Sequence, residues 1–268
     1  MTRTDHAADA DEAGSATLVI DGHIAEITIS NGALNLVTPT LLRQLNRCLA
    51  ALVHREDIRC AILHGGAARA FCAGSDIRAF SEIYRDASEK KILFEDMVLR
   101  NLARLPMPTI AAIDGPALGG GLELALCCDL RIVRAGVKIG LPECHLGGLA
   151  ANGAIRLTRL VGPSRAMDLL YTGRTIDSDQ AFDWGIVNEI AHAGSALERA
   201  RELAGTIARR GPVSNRLAKS LVFSAQDGPL DAALSLSTVH QQTIFDSQDL
   251  QEGAAAFFGK REPAFKGR

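Results

Sequence analysis

Residues 108–132 read PTIAAIDGPALGGGLELALCCDLRI, and the order of residue types in this stretch decides the fold class. Pro108 precedes a short run of β-branched and small apolar residues, 109–113, which predicts a buried strand. A glycine-containing segment follows at 115–121, then a predicted helix at 122–127 and a second extended run at 130–133. Three consecutive glycines, Gly119, Gly120 and Gly121, cost backbone entropy and offer no side chain to pack, so something approaches the backbone closely there. A helix that starts just beyond them presents free N–H groups and a partial positive charge, which suits a developing oxyanion. A tight turn or a helix–strand contact explains the glycines equally well. A dinucleotide loop is a third reading, but GPALGGG is not GxGxxG and no ribose-binding acid stands at the expected distance.

The same order of elements recurs on both sides. Upstream, the apolar run 58–63 leads into the loop Cys72-Ala73-Gly74-Ser75-Asp76 and then a helix. Downstream, the run 137–140 leads into a loop over 141–151 and a helix reaching residue 160. This is repetition of architecture and not of sequence. At the front, β-branched runs at 17–20 and 24–29 flank Asp21-Gly22, a hairpin signal. Thr38 and Pro39 then open a helix whose leucines Leu41, Leu42, Leu45, Leu49 and Leu52 recur at helical spacing. The last third reads as helices at 164–171, 178–184, 195–209, 213–225, 230–245 and 250–260. The fold class is α/β, followed by a helical tail.

Composition narrows the function classes. The chain has 268 residues, 47% of them hydrophobic, enough for a sizeable core. A formal net charge of −2 and 4% aromatic residues argue against a nucleic-acid partner. No apolar stretch reaches the roughly 18 residues of a membrane span. The opening MTRTDHAADADEAGSA carries Asp5, Asp9, Asp11 and Glu12 without an apolar core, which reads as a disordered tail rather than a secretory signal. The cysteines Cys48, Cys60, Cys72, Cys127, Cys128 and Cys144 form no CxxC pair. They read as reduced core thiols of an intracellular protein, with metal binding the weaker reading.

Two carboxylates stand out. Glu123 lies in the first turn of an otherwise apolar helix, where favourable interaction with the helix dipole is the plain explanation. Glu143 follows Pro142 in a glycine-rich loop, where a solvated side chain is the plain explanation. Held close together they would form an acid/base pair, because like charges push one pKa up. A second glycine loop at Ala73-Gly74-Ser75-Asp76 could aim its amides at the same spot, although it also reads as an ordinary capped helix start.

The stretches AFCAGSDIRAF (70–80), PTIAAIDGPALGGGLELALCCDLRI (108–132), LPECHLGG (141–148) and EGAAAFFGKREPAF (252–265) resemble the enoyl-CoA hydratase/isomerase (crotonase) superfamily in order and spacing, as does TGRTIDSDQAFDWGIVNEI (172–190). The resemblance covers nearly everything from residue 17 onward. It implies a crotonase-like spiral of repeated ββα units over 17–200, behind the 1–16 tail, with a helical trimerisation region over 201–268. By position, the backbone N–H groups of Ser75 and Gly120 would form the oxyanion hole for a CoA-thioester enolate. Glu123 would activate water for attack at Cβ, and Glu143 would protonate Cα. Coenzyme A would lie along Ala33, Leu34, Ala73, Gly74, Asp76 and Ile77, with Phe257 and Lys260 reaching it from a neighbouring subunit.

The resemblance thus implies a cytoplasmic enoyl-CoA hydratase, a lyase with no metal or redox cofactor, assembled as a homotrimer or dimer of trimers, with no nucleic-acid or membrane partner. Alternatives are an enoyl-CoA isomerase using Glu143 alone, another CoA-thioester reaction such as hydrolysis or C–C cleavage, and a non-catalytic acyl-CoA binder. The chain departs from the family pattern at Ala150, where many hydratases carry proline, at Gly32, where a basic residue is common, and at Asp114, read as a turn substitution. His145 reads as a loop histidine without a catalytic role. Asp96, Arg100 and Arg104 read as a solvated or subunit-facing helix surface.

Overall fold

The computed structural model describes residues 14–268. Most of the expected tail lies outside the described residues, and its last two positions already belong to a strand. In chain order the elements are β1 (Ser15–Asp21), β2 (Ile24–Ser30), α1 (Pro39–Leu52), β3 (Cys60–His64), α2 (Leu93–Ala103), β4 (Thr109–Ile113), β5 (Ala117–Leu118), α3 (Gly120–Leu126), β6 (Leu130–Arg134), β7 (Ile139–Gly140), α4 (Ala151–Val161), α5 (Pro163–Thr172), β8 (Thr175–Ile176), α6 (Ser178–Asp183), β9 (Glu189–Ala191), α7 (Ala196–Ala208), α8 (Pro212–Asp227), α9 (Leu230–Asp246) and α10 (Gln248–Phe258). Short 3₁₀ turns cover Ile77–Glu82 and Pro142–Leu146, and a π-helical turn, Ser88–Ile92, leads into α2. The segment 141–151, expected as loop, therefore carries one tight helical turn.

Among the described residues, six strands form the main sheet in the order β1-β2-β3-β4-β6-β9, and three form a smaller sheet, β5-β7-β8. The β1–β2 hairpin is antiparallel and turns at Gly22, whose φ is +54°, a conformation glycine adopts without steric cost. From β2 onward the main sheet is parallel. Alternation along its strands divides the core into two. Ala61, Leu63, Ala111, Ile113 and Val133 face the large core shared with α1 to α5. Cys60, Ile62, Ile110, Ala112 and Ile132 face α7, which meets them with Ala196, Ala200 and Ala204. Three alanines four residues apart let that helix lie close against the sheet. The expected boundary between residues 200 and 201 falls inside α7, whose buried stripe belongs to the sheet.

Each turn of the chain contributes one strand to the main sheet and then a short extended piece to the second layer. Cys72 bridges Ala117, and Ala117 pairs with Ile139, so three consecutive turns stack in register. The stacking is tight. A Cβ on Gly121 would overlap the Cys72 carbonyl, and one on Gly115 would overlap the Arg69 carbonyl. The glycines are thus explained first by backbone packing.

Two polar residues lock this stack from afar. Asn35 is fully buried with φ +49°, and its side-chain amide donates to the carbonyls of Gly65, Ala70 and Phe71. Asp114 accepts hydrogen bonds from the backbone N–H groups of Ala196 at 2.7 Å and Leu197 at 3.1 Å. The turn substitution expected at Asp114 is therefore corrected: its carboxylate caps the start of α7, where the free amides and the dipole favour an anion. Asp114→Ala is expected to destabilise the protein by about 1–3 kcal/mol, and Asp114→Asn by less, in urea unfolding at pH 7. Equal losses in the two variants would show that the capping bonds are not what matters.

Candidate active site

The second layer ends, turn after turn, at one place. The extended piece around Cys72 runs into Ser75, β5 into Gly119 and α3, and β7 into the 3₁₀ turn that carries Glu143. Val37 donates to the Gly74 carbonyl at 2.9 Å and Asp76 donates to the Val37 carbonyl at 2.9 Å, which pins the backbone on both sides of Ser75. An ideal Cβ on Gly120 would lie 3.8 Å from the Ser75 nitrogen, so the two residues are neighbours. Among the described residues, neither the Ser75 nor the Gly120 amide donates to a backbone or side-chain acceptor. Gly120 is the first residue of α3, and its N-cap Gly119 has no side chain to satisfy it. Two unengaged amides from separate turns are thus held side by side.

A cleft of about 1830 Å³ opens beside them, and Ala73, Gly74, Ser75, Asp76 and Ile77 line it together with both acids. Glu123 is 8% exposed. Its Oε1 accepts from the backbone N–H of Gly153 at 2.7 Å. That bond has a local cause: α4 begins after Ala150, which offers no capping side chain, so an amide of its first turn takes the Glu123 carboxylate from another helix instead. The departure at Ala150 therefore coincides with Glu123 serving as the cap of α4. Glu143 packs against the backbone of Gly119: a Cβ there would sit 2.7 Å from Glu143 Oε1. Glu143 Oε2 is buried and has no hydrogen-bond partner among the described residues.

Burial pushes Glu123 up to about 7, against the lowering effect of the Gly153 amide, with the neighbouring carboxylates Glu95 and Glu143 adding to the rise. Burial also raises Glu143 above the ordinary carboxylate range. Burial thus disfavours the charged form of both groups. The Gly153 amide and the α4 dipole favour the charged form of Glu123. The unpartnered Oε2 of Glu143 is satisfied most cheaply as a neutral acid.

The structure does not bring every expected residue to the cleft. Leu34 lies beside the loop, its carbonyl accepting from Ala73 N at 2.9 Å, and Ala33 accepts from Arg69 N at 3.0 Å. The Asp76 carboxylate caps the turn that follows and pairs with Arg78 at 2.6 Å. Phe257 and Lys260 lie at the end of α10, away from the cleft of their own chain, and the Phe257 ring is 77% exposed rather than packed in the core. Asp96 is partly buried at the cleft and bonded to Asn152 at 3.2 Å, which corrects the first half of its reading as a solvated or subunit-facing residue. His145 bonds the Thr172 carbonyl at 3.0 Å, a structural tie.

Sequence reasoning missed the Gly153 amide and Asn35. A glycine in a helix start has no distinguishing signal, whereas an asparagine that tolerates positive φ is a weak one. Cys48, Cys60, Cys72, Cys127 and Cys128 are buried free thiols, and Cys144 is partly buried. Among the described residues no helix is long and apolar enough to cross a membrane, and no group of three His, Cys, Asp or Glu side chains could hold a metal ion.

The raised Glu123 carries a stability consequence. Its folded-state pKa lies above the ordinary 4.5, so the folded protein loses stability as pH rises from about 4.5 to about 7, where the unfolded chain ionises first. Glu123→Gln keeps an acceptor for Gly153 but removes the charge. The variant is expected to gain stability over the parent between pH 4.5 and pH 8, by up to about 3 kcal/mol, in denaturant unfolding at the two pH values. A gap that does not widen with pH would mean that burial of Glu123 carries no such cost.

Comparison with known proteins agrees with this architecture. The family model for enoyl-CoA hydratase/isomerase matches residues 20–268. The chain is 35% identical over 249 residues to an enoyl-CoA isomerase/hydratase of Mycosarcoma maydis, covering 88% of this chain and 89% of that one. It is 31% identical over 260 residues to the short-chain-enoyl-CoA hydratase of Clostridium acetobutylicum, covering 96% and 100%. The crystal structure of an enoyl-CoA hydratase from Bacillus anthracis superimposes with a TM-score of 0.89 at 32% identity, over 96% of this chain and 100% of that one. The stacked turns and helical tail are the crotonase fold, and the chain belongs to the enoyl-CoA hydratase/isomerase family.

Proposed function

We propose that this protein hydrates a 2-enoyl-CoA to a 3-hydroxyacyl-CoA. The observation that carries the reading is that the buried Glu123 and the partly buried Glu143 line one cleft beside the unengaged amides of Ser75 and Gly120. The thioester carbonyl sits between the two amides. Their fixed dipoles stabilise the negative charge that reaches this oxygen when the Cβ carbon is attacked, in a site where little solvent screens it.

Glu123, oriented through Oε1 by Gly153, uses its other oxygen to take a proton from water as the water oxygen bonds to Cβ. The electron pair of the double bond moves into the enolate, and Glu143 gives its proton to Cα. One proton enters the pair and one leaves it, so the dyad ends as it began after exchange between its two members. Coenzyme A runs along Ala33, Leu34, Ala73, Gly74, Asp76 and Ile77, with exposed Leu34 and Ile77 offering apolar contact. The exposed Phe257 and Lys260 reach the coenzyme A bound by a neighbouring copy of the chain in a trimer or dimer of trimers. No metal or redox cofactor takes part in these steps.

A second reading is isomerisation of a 3-enoyl-CoA by Glu143 alone. The unpartnered Oε2 of Glu143 favours it, because a carboxyl oxygen free of other bonds can carry a proton between Cγ and Cα.

With crotonyl-CoA, Glu123→Gln and Glu143→Gln are each expected to lower kcat by about 10²–10⁴-fold while coenzyme A affinity is kept. Under the isomerase reading only Glu143→Gln is severe, assayed with a 3-enoyl-CoA. A wild-type protein that binds coenzyme A and turns over neither thioester would defeat both. Ser75→Ala is expected to cost less than tenfold, because the amide and not the hydroxyl is used. A loss on the order of 10²-fold would place the hydroxyl in the mechanism.

A further inference from the structure

The wall that α2 gives to the cleft is charged. Glu95 pairs with Lys91 one turn before it, and the two side chains are only 14% and 22% exposed. Lys91 also sits over the Phe80 ring, 5.6 Å from its centre, which ties α2 to the turn Ile77–Glu82 at the coenzyme A side of the cleft. Lys91 lies in the π-helical turn Ser88–Ile92, a wide turn of the kind that re-aims side chains at functional sites. The next residue, Asp96, is braced by Arg100 at 2.6 Å and accepts from the Asn152 side chain at 3.2 Å. Asn152 adjoins Gly153, whose amide holds Glu123. Asp96 is therefore connected to Glu123 through Asn152 and its chain neighbour Gly153, and Lys91, Glu95 and Glu123 line the same cleft.

A partly buried ion pair gives up hydration that its mutual attraction barely returns. Ile92 and Leu99 on the same wall show that an apolar lining was available. The pair is therefore better explained by its field than by stability. The groups facing Glu123 are Glu95 and Lys91 from the α2 side, Glu143 from the turn after β7, and the Gly153 amide from α4. Arg156 of α4 and Asp96 of α2 share the surroundings of Cys127, one turn further along α3, whose thiol burial pushes up to about 12 and keeps neutral. Asp96 is offset by Arg100. Glu95 raises and Lys91 lowers the proton affinity of Glu123, so the two act in opposition.

We propose that Lys91 and Glu95 are positioning residues whose ion pair sets the electrostatic environment in which Glu123 takes its proton from water. The inference rests on the reading of Glu123 as the base. Removing the Glu95 charge lets Glu123 ionise at lower pH, and removing the Lys91 charge delays its ionisation.

The test is the pH dependence of kcat/KM for crotonyl-CoA hydration, with a parallel ¹³C NMR titration of the Glu123 carboxyl. Glu95→Gln is expected to move the acid limb and the titration midpoint down by about one pH unit, and Lys91→Met to move both up by about one unit. Lys91→Arg, which keeps the charge, is expected to bring them back toward wild type. Should Lys91→Met not fold, the isosteric Glu95→Gln decides the matter. Midpoints that stay put, or that move the same way in both variants, overturn the proposal. A wild-type protein without hydratase activity whose Glu123 still titrates lower in Glu95→Gln defeats the functional reading and leaves the electrostatic coupling standing.

Discussion

The contact on which the rest of the structure depends is backbone against backbone, where one turn of the chain lies on the next. Gly121 meets the Cys72 carbonyl and Gly115 meets the Arg69 carbonyl at separations that leave no room for a Cβ. These approaches hold Cys72, Ala117 and Ile139 in register. That register in turn sets Ser75 beside Gly120 and brings the segment carrying Glu143 over Gly119. A side chain at any of these glycines would separate two layers and with them the two amides, because close-packed interiors transmit such shifts rather than absorb them.

The same stacking explains the electrostatics. A carboxylate at the buried end of α3 would be costly in an apolar core. Here the uncapped first turn of α4 offers an amide, so Glu123 is buried with one bond, enough to hold it in place but not to bring it down to the ordinary carboxylate range. Glu143 keeps one unpartnered oxygen. Folding thus stores two carboxyls that resist ionisation next to main-chain donors that await negative charge. The cost in stability is concentrated in one cleft, and perturbed carboxyls of this kind cluster at functional sites.

Longer-range ties keep this arrangement rigid. Asp114 fastens α7 to the end of β4, Asn35 fastens the first turn to the second, and the Lys219–Asp129 pair at 2.8 Å joins α8 to the start of β6. At the other end, Asp249 receives the backbone N–H groups of Lys266 and Gly267, folding the C-terminal segment back on α10. The exposed rings of Phe257 and Phe258 remain beside it, on the part of the molecule farthest in sequence from the chemistry.

Sequence by itself determined the alternation of strand, glycine loop and helix and the helical last third, and it singled out Glu123, Glu143 and the two glycine loops, which the fold brings to one cleft. These are local properties: period-two and period-3.6 patterns, and the conformational freedom of glycine, are written into neighbouring residues. Helix ends were legible to within a few residues for the same reason, whereas two-residue strands such as β5 and β8 carry too little pattern to be seen. Only the tertiary structure decided that Asp114 caps a helix 82 residues away, that Asn35 anchors a loop, and that Glu123 rather than residue 150 satisfies α4. Partners so distant along the chain are chosen by how the turns stack. Whether an amide is free or a carboxylate is buried depends on what that stacking places against it, and no local pattern of residues records the outcome.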